Sequence, residues 1–263
     1  MITVHHLNNS RSQRVLWLLE ELALPYEIVK YERDAKTMLA PAALRAIHPL
    51  GKSPVITDGD ATLAESGAII EYLVDTYGKD RFSPPPGTPE ARHYRYFLHY
   101  AEGSLMPFLV MKLVFNKVKT DAPFLVRPIA KLIASTVSSR FLDANIANHL
   151  AFLGDHLTKH AYFAGDAFSA ADVQMSFPIE GAVARSGAPV SPKITEWLAK
   201  IQARPAYRKA IGRGGAYSVL GCPGGGEAGA RGLETPGDRL GRAARPLATR
   251  GPWASPARTA RAR

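Results

Sequence analysis

The chain has 263 residues, 46% of them hydrophobic, a length and composition that suit two ordinary domains with sizeable cores. Its one cysteine, Cys222, excludes an internal disulfide framework and any multi-cysteine metal site, and no eighteen-residue apolar run offers a membrane-spanning helix. The net charge of +10 does not by itself indicate a nucleic-acid partner, because half of it falls between Ser218 and Arg263, where eight arginines face three acidic residues.

The opening Met1 to His6 has neither the basic start nor the apolar stretch of a signal peptide, so a soluble, cytoplasmic protein without a membrane partner is expected. Ile2 to Leu7 alternates as a strand does, and Asn8, Asn9 and Ser10 supply a turn of cap-type side chains. From Arg11 the apolar residues Val15, Leu16, Leu18, Leu19 and Leu22 keep helical spacing until Pro25 stops the helix after Leu24. Tyr26 to Tyr31 reads as a second strand, and Met38, Leu39, Leu44 and Ile47 as a short helix broken at Pro49.

The next stretch carries more information. Pro54 cannot donate to a ladder, so it either begins an edge-like strand or follows a cis bond, and in both cases leaves Val55 with main-chain groups to offer. A hairpin partner ends at Leu63-Ala64, and after Glu65 a helical pattern runs from Ser66, the expected N-cap, to about Tyr77. The unpaired N–H groups and dipole of that first turn suit a carboxylate, and an open strand edge beside them suits a short peptide. The same residues also fit a plain hairpin followed by a capped helix.

The element order is βαβαββα, a small mixed sheet covered by helices over residues 1–80. A proline-rich linker follows at 81–89. Residues 90–217 read as helix throughout: a long element from Tyr94 to Leu109 that Gly103 and Pro107 bend, then Leu125 to Ile133, Phe141 to Leu157, Ala170 to Arg185 and Ile194 to Ala203. Ser169 to Asp172 forms a capping box, with Asp172 in the place of the usual glutamate and a cap worth about 1 kcal/mol. The tail, 218–263, is rich in Gly, Pro, Ala and Arg, lacks an apolar period, and is expected to be disordered and passive.

His149, His156 and His160 fall one or two turns apart, but no cysteine joins them and no metal site is expected. No Walker loop, HExxH or GxSxG motif occurs. A nucleic-acid partner is not expected either, the basic excess being a property of the tail.

The βαβαββα order, the loop Pro49-Leu50-Gly51-Lys52-Ser53-Pro54-Val55, Glu65-Ser66 at a helix start, the helical second half and the Ser169 to Asp172 box together resemble a cytosolic glutathione transferase. The segment Leu7-Asn8-Asn9-Ser10-Arg11-Ser12-Gln13-Arg14-Val15-Leu16-Trp17-Leu18-Leu19, with Arg33-Asp34-Ala35, is similar to the serine-containing yeast-type and bacterial branch. The resemblance covers roughly residues 1 to 217 and leaves the tail unmatched.

It implies a thioredoxin-like first domain that binds glutathione as co-substrate, with no other cofactor. Val55, after a cis Pro54, would pair with the cysteinyl backbone of the tripeptide by strand addition. Ser66 would meet the γ-glutamyl carboxylate and Glu65 its ammonium, while Lys52 and Ser53 belong to the same binding loop. Ser10 would donate its hydroxyl hydrogen bond to the glutathione thiolate, with Asn9 or Ser12 as substitutes in that role; its plainer reading is a cap of the first helix. Arg14 could add positive charge there or pair with Glu20 or Glu21. A hydrophobic electrophile would sit between the domains near Met106, Phe108 and Met111, and two subunits would pair as a homodimer. The implied activity is addition of the thiolate to that electrophile or reduction of a peroxide, the alternative being a non-catalytic protein of the same fold that binds a protein partner.

Overall fold

In a computed structural model, which describes residues 1–34, 37, 39–215 and 217, four strands form one mixed sheet in the order β2-β1-β3-β4. β1 (Ile2–Leu7) runs parallel to β2 (Tyr26–Tyr31), with Ile2 opposite Tyr26 and Leu7 opposite Tyr31. It is antiparallel to β3 (Val55–Asp58), which in turn pairs with β4 (Ala61–Ala64). The parallel pair is joined by helix α1 (Ser12–Leu22), the crossover that a parallel connection needs. Helices α2 (Ala42–Ile47) and α3 (Ser66–Tyr77) complete a thioredoxin-like N-terminal part with the expected βαβαββα order.

Local chemistry explains where these elements end. Ala23 closes α1 in the left-handed conformation at φ 57°, its N–H bonded to the carbonyls of Glu20 and Leu19, two residues before Pro25. α2 starts later than its apolar spacing indicates because Pro41 sits at its cap; Met38 lies outside the described residues. The Ser53–Pro54 bond is cis, which decides between the two readings of Pro54. The edge-strand reading fails: β3 has a partner on each side, and Val55 is opposite both His5 and Ala64.

The C-terminal part is all helix. Thr88 caps α4 (Pro89–Tyr100) by accepting the Ala91 N–H at 3.1 Å. A π-helical turn at Ala101–Leu105, containing Gly103, leads into α5 (Met106–Asp121), so the expected bend in the long element is a change of helical pitch. α6 (Arg127–Val137) and α7 (Asp143–Lys159) are joined in the same way through Ser138–Leu142. α8 (Ala170–Arg185), α9 (Pro192–Gln202) and α10 (Pro205–Gly214) follow. α10 has no counterpart in the sequence reading, because it has few apolar residues to set a period.

One contiguous apolar cluster runs through both parts, from Ile2 and Val4 on β1 through Trp17 and Leu19 on α1 to Val173 and Ile179 on α8 and Tyr207 on α10. α1 lies between the sheet and the helices α8 and α10, so even Ser12, Gln13 and Arg14 on its first turn are buried. The capping box at α8 does more than cap. Fully buried Asp172 accepts the N–H of Ser169 at 2.9 Å and its hydroxyl at 3.1 Å, and also the Phe163 N–H and the Trp197 indole N–H, both at 3.0 Å.

Among the described residues no helix is long and apolar enough to cross a membrane. The tail from Ser218, Cys222 included, lies outside them.

Candidate functional site

The site is built where β1, α1, the loop before β3 and the start of α3 meet. Ser10, in the turn between β1 and α1, is buried, and its hydroxyl is 2.7 Å from the Ser12 hydroxyl. It donates to the Ser53 hydroxyl at 3.2 Å and accepts the Ser12 N–H at 3.3 Å. The two expectations for Ser10, helix cap and hydroxyl donor, therefore describe the same side chain: its oxygen serves the helix start while its proton has two oxygens to choose between. Arg11 itself holds the cap position of α1 with helical backbone angles, so the N-terminal dipole points toward this turn.

Ser53 anchors the opposite wall. Its hydroxyl donates to the His5 carbonyl at 3.1 Å and accepts the Leu7 N–H at 3.4 Å, which ties the cis bond to β1. Gly51, two residues earlier, has φ 55°, and a Cβ there would lie 2.7 Å from the Arg45 side chain, so this loop requires glycine. Since Val55 is buried within the ladder, the main chain beside the cis bond that lies outside it belongs to Ser53. Lys52 is exposed next to it.

At the amino end of α3 the expected N-cap is displaced by one residue. Ser66 is the first residue of the helix, and Glu65 takes the cap position at φ 74°, ψ 124° without a side-chain cap bond. A glutamate with positive φ carries strain of order 1–3 kcal/mol, a feature concentrated at ligand clamps. The Glu65 side chain is exposed, whereas Ser66 is buried and its hydroxyl has no hydrogen-bond partner among the described residues. The Tyr72 and Tyr77 hydroxyls both donate to Asp58, which fixes α3 against the β3–β4 hairpin.

Arg14 does not pair with Glu20 or Glu21 as its helical spacing allows. It reaches Glu102 in the π-helical turn at 2.5 Å, and Arg11 reaches the same carboxylate at 3.0 Å. Burial pushes the Glu102 carboxyl up, but the two guanidinium groups outweigh that and hold it below its ordinary value. Glu20 and Glu21 instead bind Lys209, Arg213 and Arg204 around α10. α1 is thus held from both ends, with Ser10 at its near end. Met106 is part of the core, and half-buried Phe108 packs on Phe141 and His149.

His149 bonds to the Tyr100 hydroxyl, while His156 and His160 meet His93 edge to face and each other at a tilt. No group of three or more His, Cys, Asp or Glu among the described residues could hold a metal ion. Burial, followed by the charge of His160, lowers the His156 pKa to about 4. The unfolded chain then takes this proton first, so His156 removes stability as the pH falls from about 6.5 to about 4. His156→Phe, which keeps the stacking on Phe163, should reduce the loss in denaturant midpoint between pH 7 and pH 5; an unchanged loss would refute this.

The chain matches the family model described as glutathione S-transferase, N-terminal domain, over residues 10–76, and the corresponding C-terminal domain over residues 142–205. It is 39% identical over 211 residues to glutathione S-transferase 3 of Schizosaccharomyces pombe, covering 79% of this chain and 86% of that one. Glutathione S-transferase 1 of Saccharomyces cerevisiae is 36% identical over 217 residues, covering 79% and 92%. Among solved structures, a glutathione S-transferase from Actinobacillus pleuropneumoniae matches with a TM-score of 0.66 at 32% identity, covering 83% of this chain and 95% of that one. A glutathione transferase from Phanerochaete chrysosporium in complex with oxidized glutathione matches with a TM-score of 0.63 at 25% identity, covering 81% and 96%.

Proposed function

Since the chain belongs to the glutathione S-transferase family, we propose that the groove between Ser10, the cis Ser53–Pro54 bond and the start of α3 binds glutathione and ionises its thiol for attack on an apolar electrophile or a peroxide. The observation that carries this reading is the Ser10 hydroxyl, 3.2 Å from Ser53 beside the cis bond and at the positive end of α1. A hydroxyl there donates to a thiolate and lowers its pKa, while the attacking atom remains the sulfur of glutathione.

The tripeptide backbone lies along Lys52 to Pro54, with the main chain of Ser53, rather than that of Val55, and the shape of Pro54 fixing its extended form and Lys52 meeting its glycyl carboxylate. The γ-glutamyl carboxylate takes the free Ser66 hydroxyl and the N–H groups of the first turn of α3, and Glu65 takes the ammonium. The binding part is residues 1–80 and the helical part 90–217, joined at 81–89, with the electrophile between them. Two such chains pair as a homodimer. A thiol that must be reduced to react suits the reducing cytoplasm.

Retention on immobilised glutathione together with turnover of an activated aryl halide supports this function, and retention without turnover refutes the catalytic part. Glu65→Gly is a sharper test of the clamp. Glycine adopts φ 74° without strain, so the variant should gain about 1 kcal/mol in denaturation while its retention on glutathione weakens. Unchanged retention would take the Glu65 carboxylate out of the site.

A further inference from the structure

The hairpin of α5 and α6 carries apolar residues that the fold leaves uncovered. Of the 16 residues of α5 only Met106 is buried, and of the 11 of α6 only Ala134. α6 packs chiefly on α5 and on the π-helical turn that follows it, so the hairpin joins the main apolar cluster only at its base, through Phe108 and Leu109. Its turn is Phe124-Leu125-Val126, with Phe124 81% and Leu125 87% exposed, and α6 adds Ile129, Leu132 and Ile133, each more than half exposed. These last three share one face at i, i+3 and i+4, while exposed Val110, Val114 and Val118 recur every fourth residue on α5. Single exposed apolar side chains are ordinary, but stripes that converge on an apolar turn mark a docking surface.

The charges around these stripes have one sign. From Leu113 to Arg140 the chain carries Lys117, Lys119, Arg127, Lys131 and Arg140 against the single acid Asp121, a net of 5 − 1 = +4. Lys112, just before them, is held by Asp143 at 2.8 Å, whereas none of the five has an acidic partner among the described residues. This argues against two occupants. A second copy brought onto the hairpin by a twofold axis sets the same cations against each other, and the tail of the chain, with eight arginines to three acidic residues, has the same sign. A second subunit also has another apolar surface to use. Tyr96 on α4 and Phe152 on α7 meet edge to face roughly 35 Å from the turn, at about 1.5 Å per helical residue, so a pairing there leaves the turn uncovered.

We propose that the α5–α6 hairpin docks on an anionic lipid bilayer, with Phe124, Leu125 and the aliphatic stripes in the boundary between headgroups and acyl chains and the five cations among the lipid phosphates and carboxylates. A bilayer surface supplies both things this hairpin lacks, an apolar layer and a sheet of negative charge above it. Long Lys and Arg stems keep their charges at the headgroup level while apolar neighbours sink past them. This accounts for Lys117, three residues from Val114 and so on the same side of α5. Helices of 16 and 11 residues are too short to span the hydrocarbon, so the hairpin lies on the membrane and does not cross it. Lying on the surface requires neither a spanning segment nor a signal peptide, the two features whose absence makes a membrane partner unexpected from the sequence.

The turn itself is suited to an apolar layer. Pro123 and Pro128 have no N–H to leave unpaired, the Val126 and Arg127 N–H groups both donate to the Pro123 carbonyl at 3.0 Å, and Arg127 Nε donates to the Ala122 carbonyl at 3.1 Å. Main-chain groups on both sides of Phe124 and Leu125 are therefore paired within the turn, which lowers the desolvation cost of sinking the two side chains. Docking is independent of how the glutathione groove is read, since none of these residues belongs to it.

The test is co-sedimentation of the full chain with vesicles of phosphatidylcholine alone and of phosphatidylcholine with about 30% phosphatidylserine. Binding is expected to the mixed vesicles, and to be at least ~10-fold weaker without phosphatidylserine. Lys117→Gln and Lys131→Gln should each weaken it about fivefold, the equivalent of one cation at an anionic surface. Phe124→Ser combined with Leu125→Ser should abolish sedimentation, while circular dichroism and the thermal midpoint stay unchanged because both side chains are exposed in the folded protein. Three results overturn the proposal. They are no binding to either vesicle; equal binding by the serine variant, which assigns the attraction to the basic tail; or a changed oligomeric state of that variant in size-exclusion chromatography, which makes the hairpin a contact between copies of the chain. The glutamine variants alter exposed side chains only and carry the test if serine disturbs the turn: unchanged binding by both overturns it as well.

Discussion

Ser10→Ala should lower turnover at pH 7 by about 25-fold while leaving the protein folded and retained on immobilised glutathione. A free thiol with a pKa near 8.5 is only about 3% ionised at that pH, and a shift of about two units makes about three quarters of it thiolate. The ratio sets the expected loss. The same arithmetic makes the loss depend on pH: by about pH 9 an unassisted thiol is itself mostly ionised, and the two proteins should nearly converge. A pH–rate profile whose rising limb moves up by about two units is the signature of a lost thiolate donor. A drop of equal size at every pH would instead indicate that alanine misplaces the tripeptide. Ser10 also accepts the Ser12 N–H, so the variant should lose about 1 kcal/mol of stability, within the range that leaves a domain folded.

The largest effect on stability is expected at Asp172, far in sequence from the groove. As a simple cap its loss would cost about 1 kcal/mol. In the structure it is the common acceptor for four donors, from Phe163, Ser169 and Trp197, in a fully buried position. Asp172→Ala removes all four acceptor bonds and leaves the Trp197 indole N–H and the Phe163 N–H without partners in the interior. The expected cost is about 3–5 kcal/mol, a large share of the stability of an ordinary protein. Urea denaturation of both proteins measures it, and a loss near 1 kcal/mol would return Asp172 to the status of a cap. Burial lifts its carboxyl to about 6, still low enough for it to be ionised at neutral pH, when it accepts all four bonds at once.

These two residues illustrate how far the sequence could be read. The place of Asp172 at the start of α8 followed from the Ser169 to Asp172 spacing, because a capping box is closed within four residues. That it also holds Trp197, 25 residues on, depends on how α9 packs against α7 and α8. Arg14 offers the same contrast. Its spacing allowed an ion pair with Glu20 or Glu21, and the fold brought Glu102 to it across 88 residues. At the start of α3 the pattern located the helix to within one residue. It could not reveal that Glu65 bends to positive φ, since nothing in a glutamate side chain announces a conformation that its neighbours impose.

By itself the sequence determined the order βαβαββα, the helical second half and the family resemblance. Strand alternation, helical spacing, proline breaks and caps act over a few residues, so they are written in the chain. The tertiary structure alone decided that Ser53–Pro54 is cis just before an interior strand, that Ser10 meets Ser53 from 43 residues away, and that Ser12 and His6 stand behind it. A hydrogen bond is made or lost within a few tenths of an ångström, and only the packing of α1 between the sheet and α10 sets distances that finely.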